Sequence, residues 1–226
     1  MLADICAVAE GQGLAYRGAF HPSPADGVPS MADGTSAGTL VLLGFTGERG
    51  WSAFAASAEA KDGCDHPLDR WARRIIGGLA DRTQARAFYP FGGPPWHPFM
   101  RWAQRADCVH QSPLGLLIHP KWGLWHSYRG ALGLAARLDI PSVDDHPSPC
   151  TTCMEKPCLS MCPVGAFSGR TEALFDKQRC KGYLATSEGD GCLTAGCKAR
   201  AACPVGAAYR YLPAQAFLHM NHFATT

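Results

Sequence analysis

Two stretches decide how this chain is read: CTTCMEKPCLSMCPVG at 150–165 and GCLTAGCKARAACPVG at 191–206, with an isolated Cys180 between them. Each closes on Cys-Pro-Val-Gly (162–165 and 203–206) and places clustered cysteines before that Cys-Pro, so the region is an internal repeat. The first stretch holds four cysteines and the second three. Together with Cys180 they supply eight thiols, the number that two sites of four require.

A [4Fe-4S] cube takes four thiolates, three of which can come from one tight loop whose short spacings turn successive sulfurs inward. The fourth comes from elsewhere, and in two-cluster ferredoxins it is the Cys-Pro of the opposite motif. On that rule Cys150, Cys153, Cys158 and Cys203 hold one cluster, and Cys162, Cys180, Cys192 and Cys197 hold the other. The spacing is looser than the compact pattern: four residues separate Cys153 from Cys158, and four and then five separate Cys192, Cys197 and Cys203. The order of the motif is intact. Zinc competes as a ligand, but its structural sites usually pair two C-x2-C knuckles and have no use for a Cys-Pro at the end of each motif. Disulfides suit a short secreted chain better than this one. Cys180 stands outside both runs and also has a plain reading as a buried apolar thiol. Cys6, Cys64 and Cys108 have no cysteine near them in sequence, and buried thiol is the expectation for each.

At 226 residues and 46% hydrophobic content, the chain can bury one large core or two modest ones. A formal net charge of +2 indicates no partner class, and no basic run interleaved with aromatics signals nucleic acid. MLADICAVAEGQG (1–13) lacks the features of a secretion signal, and no stretch reaches the roughly 20 apolar residues of a membrane span. A soluble, cytoplasmic protein with reduced thiols and no membrane partner is expected.

Helical spacing of Leu2, Ile5, Cys6 and Ala9 predicts a short opening helix, followed by a Pro/Gly/Ser-rich loop over 21–38. TLVLLGF (39–45) reads as a buried strand, 51–60 as a small helix, and 66–82 as a helix with Leu68, Trp71, Ile75 and Leu79 on one face. AFYPF (87–91) reads as a strand, 97–106 as a helix, and 114–120 with 124–134 as a hairpin across Lys121–Gly123. DIPSVDDHPSPC (139–150) marks a boundary, giving an α/β region over 1–140 and a cysteine region over 141–226. A closing helix is expected over 212–223, with Phe217 and Leu218 capping the core. Tyr89, His97 and Tyr128 are the conceivable proton donors, each with a core or rim role as the plainer reading, and structural roles are expected for most of the nine histidines.

SPLGLLIHPKWGLWHSYRGALGL (112–134), the cysteine run and RCKGYLAT (179–186) together resemble the corrinoid and iron-sulfur reductases, the superfamily of epoxyqueuosine reductases and reductive dehalogenases. In that family an Arg-Cys-x-x-Tyr-Leu segment lies between the two cysteine motifs with its cysteine as a ligand, which the resemblance carries to Cys180. It further implies a nitroreductase-like α/β domain holding base-off cobalamin beside a two-cluster ferredoxin-like domain. Where the epoxyqueuosine reductases carry an acidic proton donor after the strand matching AFYPF, this chain has Gly92, Gly93, Pro94 and Pro95, and no carboxylate lies between Asp81 and Asp107. The first functional expectation is therefore an electron-transfer protein with two [4Fe-4S] clusters and a redox partner protein. The alternative is a corrinoid-dependent or cobalamin reductase acting on a corrinoid or small-molecule substrate.

Overall fold

The computed structural model describes residues 1–169 and 175–226. The chain divides into two compact units that interleave in sequence: Met1–Cys108 with Ser127–Asp145, and Val109–His126 with His146–Thr226.

The first unit is a mixed α/β layer. Helix α1 (Leu2–Gly11) buries Ile5 and Ala9 and leads into strand β1 (Ala15–Phe20). Strand β2 (Thr39–Thr46) is buried at every position, as its uninterrupted apolar run predicts for a strand covered on both faces. A short helix α2 (Trp51–Ala56) precedes α3 (Pro67–Thr83), which starts with proline at its first position and buries Leu68, Trp71, Ile75 and Leu79 as expected, with Ala72 and Ile76 beside them. Strand β3 (Arg86–Phe88) is shorter than AFYPF suggested, and the chain then runs through Gly92–Pro95 to α4 (Phe99–Ala106), which buries Phe99, Trp102 and Ala103. The excursion into the second unit carries β4 (His110–Gln111) and β5 (Leu117–Ile118), after which β6 (His126–Leu134) returns to the first. The sheet order is β1-β2-β6-β3, with β1 antiparallel to β2 and β3 antiparallel to β6.

Two close approaches and an aromatic cluster fix this packing. A side chain at Gly44 would meet the Ser127 carbonyl oxygen at 1.9 Å, so β2 and β6 lie together only because position 44 has none. Gly18, at φ +88°, sits in the register shift between Tyr16 and Ala19 of β1, where a Cβ would be 1.8 Å from the Ala106 carbonyl oxygen. Trp71 and Trp102 are almost fully buried, and Phe45 and Phe54 pack on Trp71 with ring centroids 5.4 and 5.9 Å away.

The expected hairpin does not form. Its two strands go to different sheets: β5 pairs with β4, β6 pairs in the four-stranded sheet, and only a single bridge, His119 to Gly123, joins them. Leu114, Ile118 and Leu124 pack instead against Cys158, Ala199 and Cys203, so burial overrides the local pairing.

The second unit is built from short helices: α5 (Pro157–Ser160), α6 (Lys177–Leu184), α7 (Asp190–Ala195), α8 (Lys198–Ala201) and α9 (Pro213–Thr225). Asp176 caps α6, its carboxylate accepting from the Arg179 N–H at 2.9 Å. Helix α9 buries Gln215 and Ala216, whereas Phe217 is 43% exposed, which corrects the expectation that Phe217 caps the core. Among the described residues no helix is long and apolar enough to cross a membrane.

Candidate metal centres

The Cys-Pro-Val-Gly repeat has a physical reason in the backbone. Gly165 and Gly206 both adopt positive φ (59° and 70°), turning the chain back at once behind Cys162 and Cys203. At the second turn a Cβ on Gly206 would lie 2.3 Å from the Trp122 carbonyl carbon, and one on Gly123 would lie 1.9 Å from the Val205 oxygen. The two glycines therefore seat the Cys203 turn directly on the 122–123 backbone. Lys156, left-handed at φ 41°, turns the chain into α5 so that Pro157 and Cys158 start the helix.

Cys150, Cys153, Cys158 and Cys203 line one recess, walled by Pro113, Ile118, Pro149, Pro157, Pro204 and Val205 and edged by Lys156. Cys158 and Cys203 are 8% and 7% exposed, and the other two are half-buried. Burial pushes the Cys158 thiol up, and the nearby Cys203, Cys150 and Cys153 push it further. Cys150 and Cys203 are raised by burial too, Cys150 also by Cys203 and Cys153, and Cys203 also by Cys153.

The second set comes from four separate pieces of chain. Cys162 follows α5, Cys180 lies within α6, Cys192 within α7, and Cys197 caps α8. The Cys180 thiol is pushed up to about 11 by burial and then by Cys197, Cys162 and Cys192, so these four are neighbours. Cys197 is raised by burial, with Cys192 and Cys162 adding to it. The Ala166 N–H donates to Cys162 Sγ at 3.3 Å, a contact that favours a thiolate there.

Both groups have the chemistry of sites for a positively charged cluster. Several thiols in apolar surroundings resist ionisation, through desolvation and mutual repulsion, unless a cationic group binds among them. A single tetrahedral zinc needs its thiolates about 2.3 Å from one ion, and the described residues as they stand present no group of three or more His, Cys, Asp or Glu placed for any metal ion. A cube gives each thiolate an iron of its own, which suits donors spread around a wider recess.

Of the remaining thiols, Cys6 and Cys108 are half-buried, but Cys64 is exposed on the loop before α3, which corrects its expected burial. Asp62 and Cys64 there are gathered by Arg70, which bonds Asp62 Oδ1 at 2.7 Å and the Cys64 carbonyl at 3.4 Å.

The first unit holds a buried polar network that sequence reasoning missed. Arg17 on β1 donates from Nε and Nη2 to Asp107 Oδ2 at 3.0 and 2.5 Å and from Nη1 to the Phe45 carbonyl at 3.0 Å. The Tyr128 hydroxyl donates to the same Asp107 oxygen at 2.9 Å, and burial pushes the phenol well above its ordinary range. The signal was available as one arginine within the apolar run LAYRGAF (14–20). Of the other conceivable donors, His97 stacks on Trp102 and meets Phe88 edge-on, with burial and then the Arg86 charge holding its pKa down. Tyr89 lies under Arg73 and donates to its carbonyl at 3.3 Å. Both are packed groups.

Two solved structures share this architecture. One is an epoxyqueuosine reductase bound to an epoxyqueuosine-modified tRNA-Tyr stem loop, at TM-score 0.53 and 15% identity over 93% of this chain and 66% of that one. The other is the epoxyqueuosine reductase of Streptococcus thermophilus, at TM-score 0.50 and 15% identity over 91% of this chain and 66% of that one. What the chains share is the fold. The chain thus spans just under two thirds of the length of these neighbours. No family model and no curated protein matches the sequence. The mixed helix-and-sheet architecture expected from the sequence is present.

Proposed function

We propose that this chain is an iron-sulfur oxidoreductase of the corrinoid-dependent reductase type, in which two [4Fe-4S] clusters supply electrons singly to a reaction centre in a nitroreductase-like α/β domain. The observation that carries it is the gathering of eight thiols as Cys150, Cys153, Cys158 and Cys203, and as Cys162, Cys180, Cys192 and Cys197. That grouping supports the cross-motif exchange proposed for a ferredoxin-like domain, in which each Cys-Pro cysteine serves the other set. The likeness in fold to epoxyqueuosine reductases favours a reductase over an electron carrier alone.

In this reading Cys158 and Cys203 shield the first cluster from water, since both are buried, and the Ala166 N–H steadies Cys162 at the second. Lys181 and Arg179 flank Cys180, and Lys198 and Arg200 flank Cys197 to Cys203. Positive charge near a cluster favours its reduced, more negative form, and cations border both sites, with Lys156 and Arg210 at the first and Arg179 and Lys181 beside Cys180 at the second. Cobalamin, base-off, is proposed from the fold likeness, and no side chain of this chain is assigned to it. An RNA stem loop is the proposed substrate class by the same likeness. With Gly92–Pro95 in place of an acidic loop, protonation falls to another group, and Tyr128, bonded to Asp107 and Arg17, is the phenol available in the first unit.

Anaerobic reconstitution followed by metal analysis tests the reading. About eight irons and eight sulfides per chain are expected, and stoichiometric zinc without the broad visible absorption of iron-sulfur clusters would overturn it. Titration of the same sample with cob(II)alamin, followed by electron paramagnetic resonance, decides the corrinoid: a base-off signal supports it and an unchanged free-cobalamin spectrum rejects it.

A further inference from the structure

The charge of the chain is unevenly divided. The second unit holds nine Lys and Arg against five Asp and Glu, and the first holds twelve against fourteen, so a near-neutral protein carries one basic unit. Three of those cations, Lys177, Arg179 and Lys181, fall within five residues on α6, the helix that also carries Cys180. Lys177 and Arg179 are exposed. Lys177 and Lys181 are one turn apart on the same side of the helix, and the Lys181 ammonium lies 5.7 Å from the centre of the Phe223 ring. Phe223 packs on Phe175 at 5.8 Å, and Phe175, itself 37% exposed, stacks on Phe167 at 4.9 Å. Asp176, the N-cap, accepts from the Arg179 N–H and pairs through Oδ2 with Arg179 Nε at 3.9 Å, so Lys177 and Lys181 are the cations on which the face chiefly rests.

An aromatic strip bordered by cations is the anatomy of a protein-docking patch, apolar within and charged at the rim. Its position is on the helix that carries Cys180, a ligand of the proposed second cluster, so a carrier docked there is close to a redox centre. We propose that the α6 face, with Lys177, Arg179, Lys181 and the Phe175–Phe223 strip, docks a small acidic electron-carrier protein. The inference rests on the cluster reading above. The partner's chemistry follows from complementarity: a negative surface is steered to this face, and contact between small redox proteins is held by charge and a small apolar patch rather than by large buried area. RNA is the competing polyanion, but a substrate RNA has to reach a reaction centre, whereas this patch surrounds a cluster ligand.

The test uses an acidic flavodoxin as the probe, with association to the anaerobically prepared protein measured by surface plasmon resonance over salt from roughly 0.02 to 0.2 M. For the unaltered protein the association rate falls steeply with salt. Lys177→Glu/Lys181→Glu should slow association about tenfold at the low end and flatten the salt dependence, while Lys121→Glu, a cation elsewhere on the same unit, leaves the rate unchanged. Equal rates for the double variant and the unaltered protein overturn the proposal, as does an equal loss in Lys121→Glu. Loss of stem-loop RNA binding by the double variant, with flavodoxin association intact, assigns the face to RNA and also overturns it. Iron analysis of the same samples reports separately on the clusters, since association with oxidised flavodoxin is read without electron transfer.

Discussion

Cys203 shows how much one side chain can report. It belongs by sequence to the second motif, yet it lines the recess of Cys150, Cys153 and Cys158. Cys203→Ser should therefore remove or distort the cluster proposed at that recess and leave the other intact, giving about half the iron of the unaltered protein. Damage confined to the site of Cys192 and Cys197 would refute the cross-motif assignment. A second test concerns Glu59, whose carboxylate accepts from Arg74 at 2.5 and 3.1 Å and is lowered from 4.5 to about 2, chiefly by that hydrogen bond. The folded-state pKa lies below the unfolded one, so the contribution is complete above about 4.5 and is lost as pH falls through about 2. Arg74→Ala should lower stability at neutral pH by about 1 kcal/mol or less, since Arg74 is half exposed, and the gap in Tm should close by about pH 2. At this scale the meeting of Cys150, Cys153, Cys158 and Cys203 at one recess was legible from the order of the two motifs, and their service as cluster ligands is the proposal above. Arg17 was not legible, because nothing in LAYRGAF says that Asp107, ninety residues on, will meet it.

At the scale of elements, the helices over Leu2–Gly11, Trp51–Ala56, Pro67–Thr83 and Phe99–Ala106 and the continuous apolar strand were read correctly, and the strands with broken or ambiguous patterns were not. Helix α3 declares its buried face through Leu68, Trp71, Ile75 and Leu79, and β2 is apolar throughout. Strand β1 went unread because Arg17 and the bulge at Gly18 interrupt its alternation. The supposed hairpin failed for a different reason: two apolar runs across a short turn satisfy local rules, but Leu114 and Ile118 have a larger apolar surface to cover among the cysteines. Gly44 gives a sharp test of the sheet. Gly44→Ala places a methyl against the Ser127 carbonyl and should cost about 1–3 kcal/mol or prevent folding, read by thermal denaturation. Gly63→Ala, on an open loop where a Cβ meets nothing within 4 Å but φ is +69°, should cost only about 1 kcal/mol from the backbone alone.

At the scale of the whole chain, the unit that carries the cysteine motifs is assembled from two stretches, Val109–His126 and His146–Thr226. Residues Val109–His126 belong to the second unit although they precede the Pro/Asp/Ser-rich stretch over 139–150 by a dozen residues or more, and no composition shift in the sequence announces them. A fragment of residues 141–226 should accordingly fail to assemble the Cys150 site, because it lacks Ile118 and the Trp122–Gly123 backbone on which the Cys203 turn rests. A fragment beginning at residue 109 with the return segment kept should assemble both sites. Full iron binding by the shorter fragment would refute this account of the second unit.

The sheet order has one more effect, and it concerns the order in which the chain is made. Strand β6 stands between β2 and β3, yet it is synthesised after both, with the excursion of residues 109–126 in between. Until Leu134 has left the ribosome, β2 and β3 each present an open apolar edge with no partner on that side, and the Cys150 recess cannot close until Cys203 follows. A nascent chain stalled at about residue 120 is thus a sheet missing its middle, the form in which it is most exposed to chaperones, proteases and its own neighbours on a polysome.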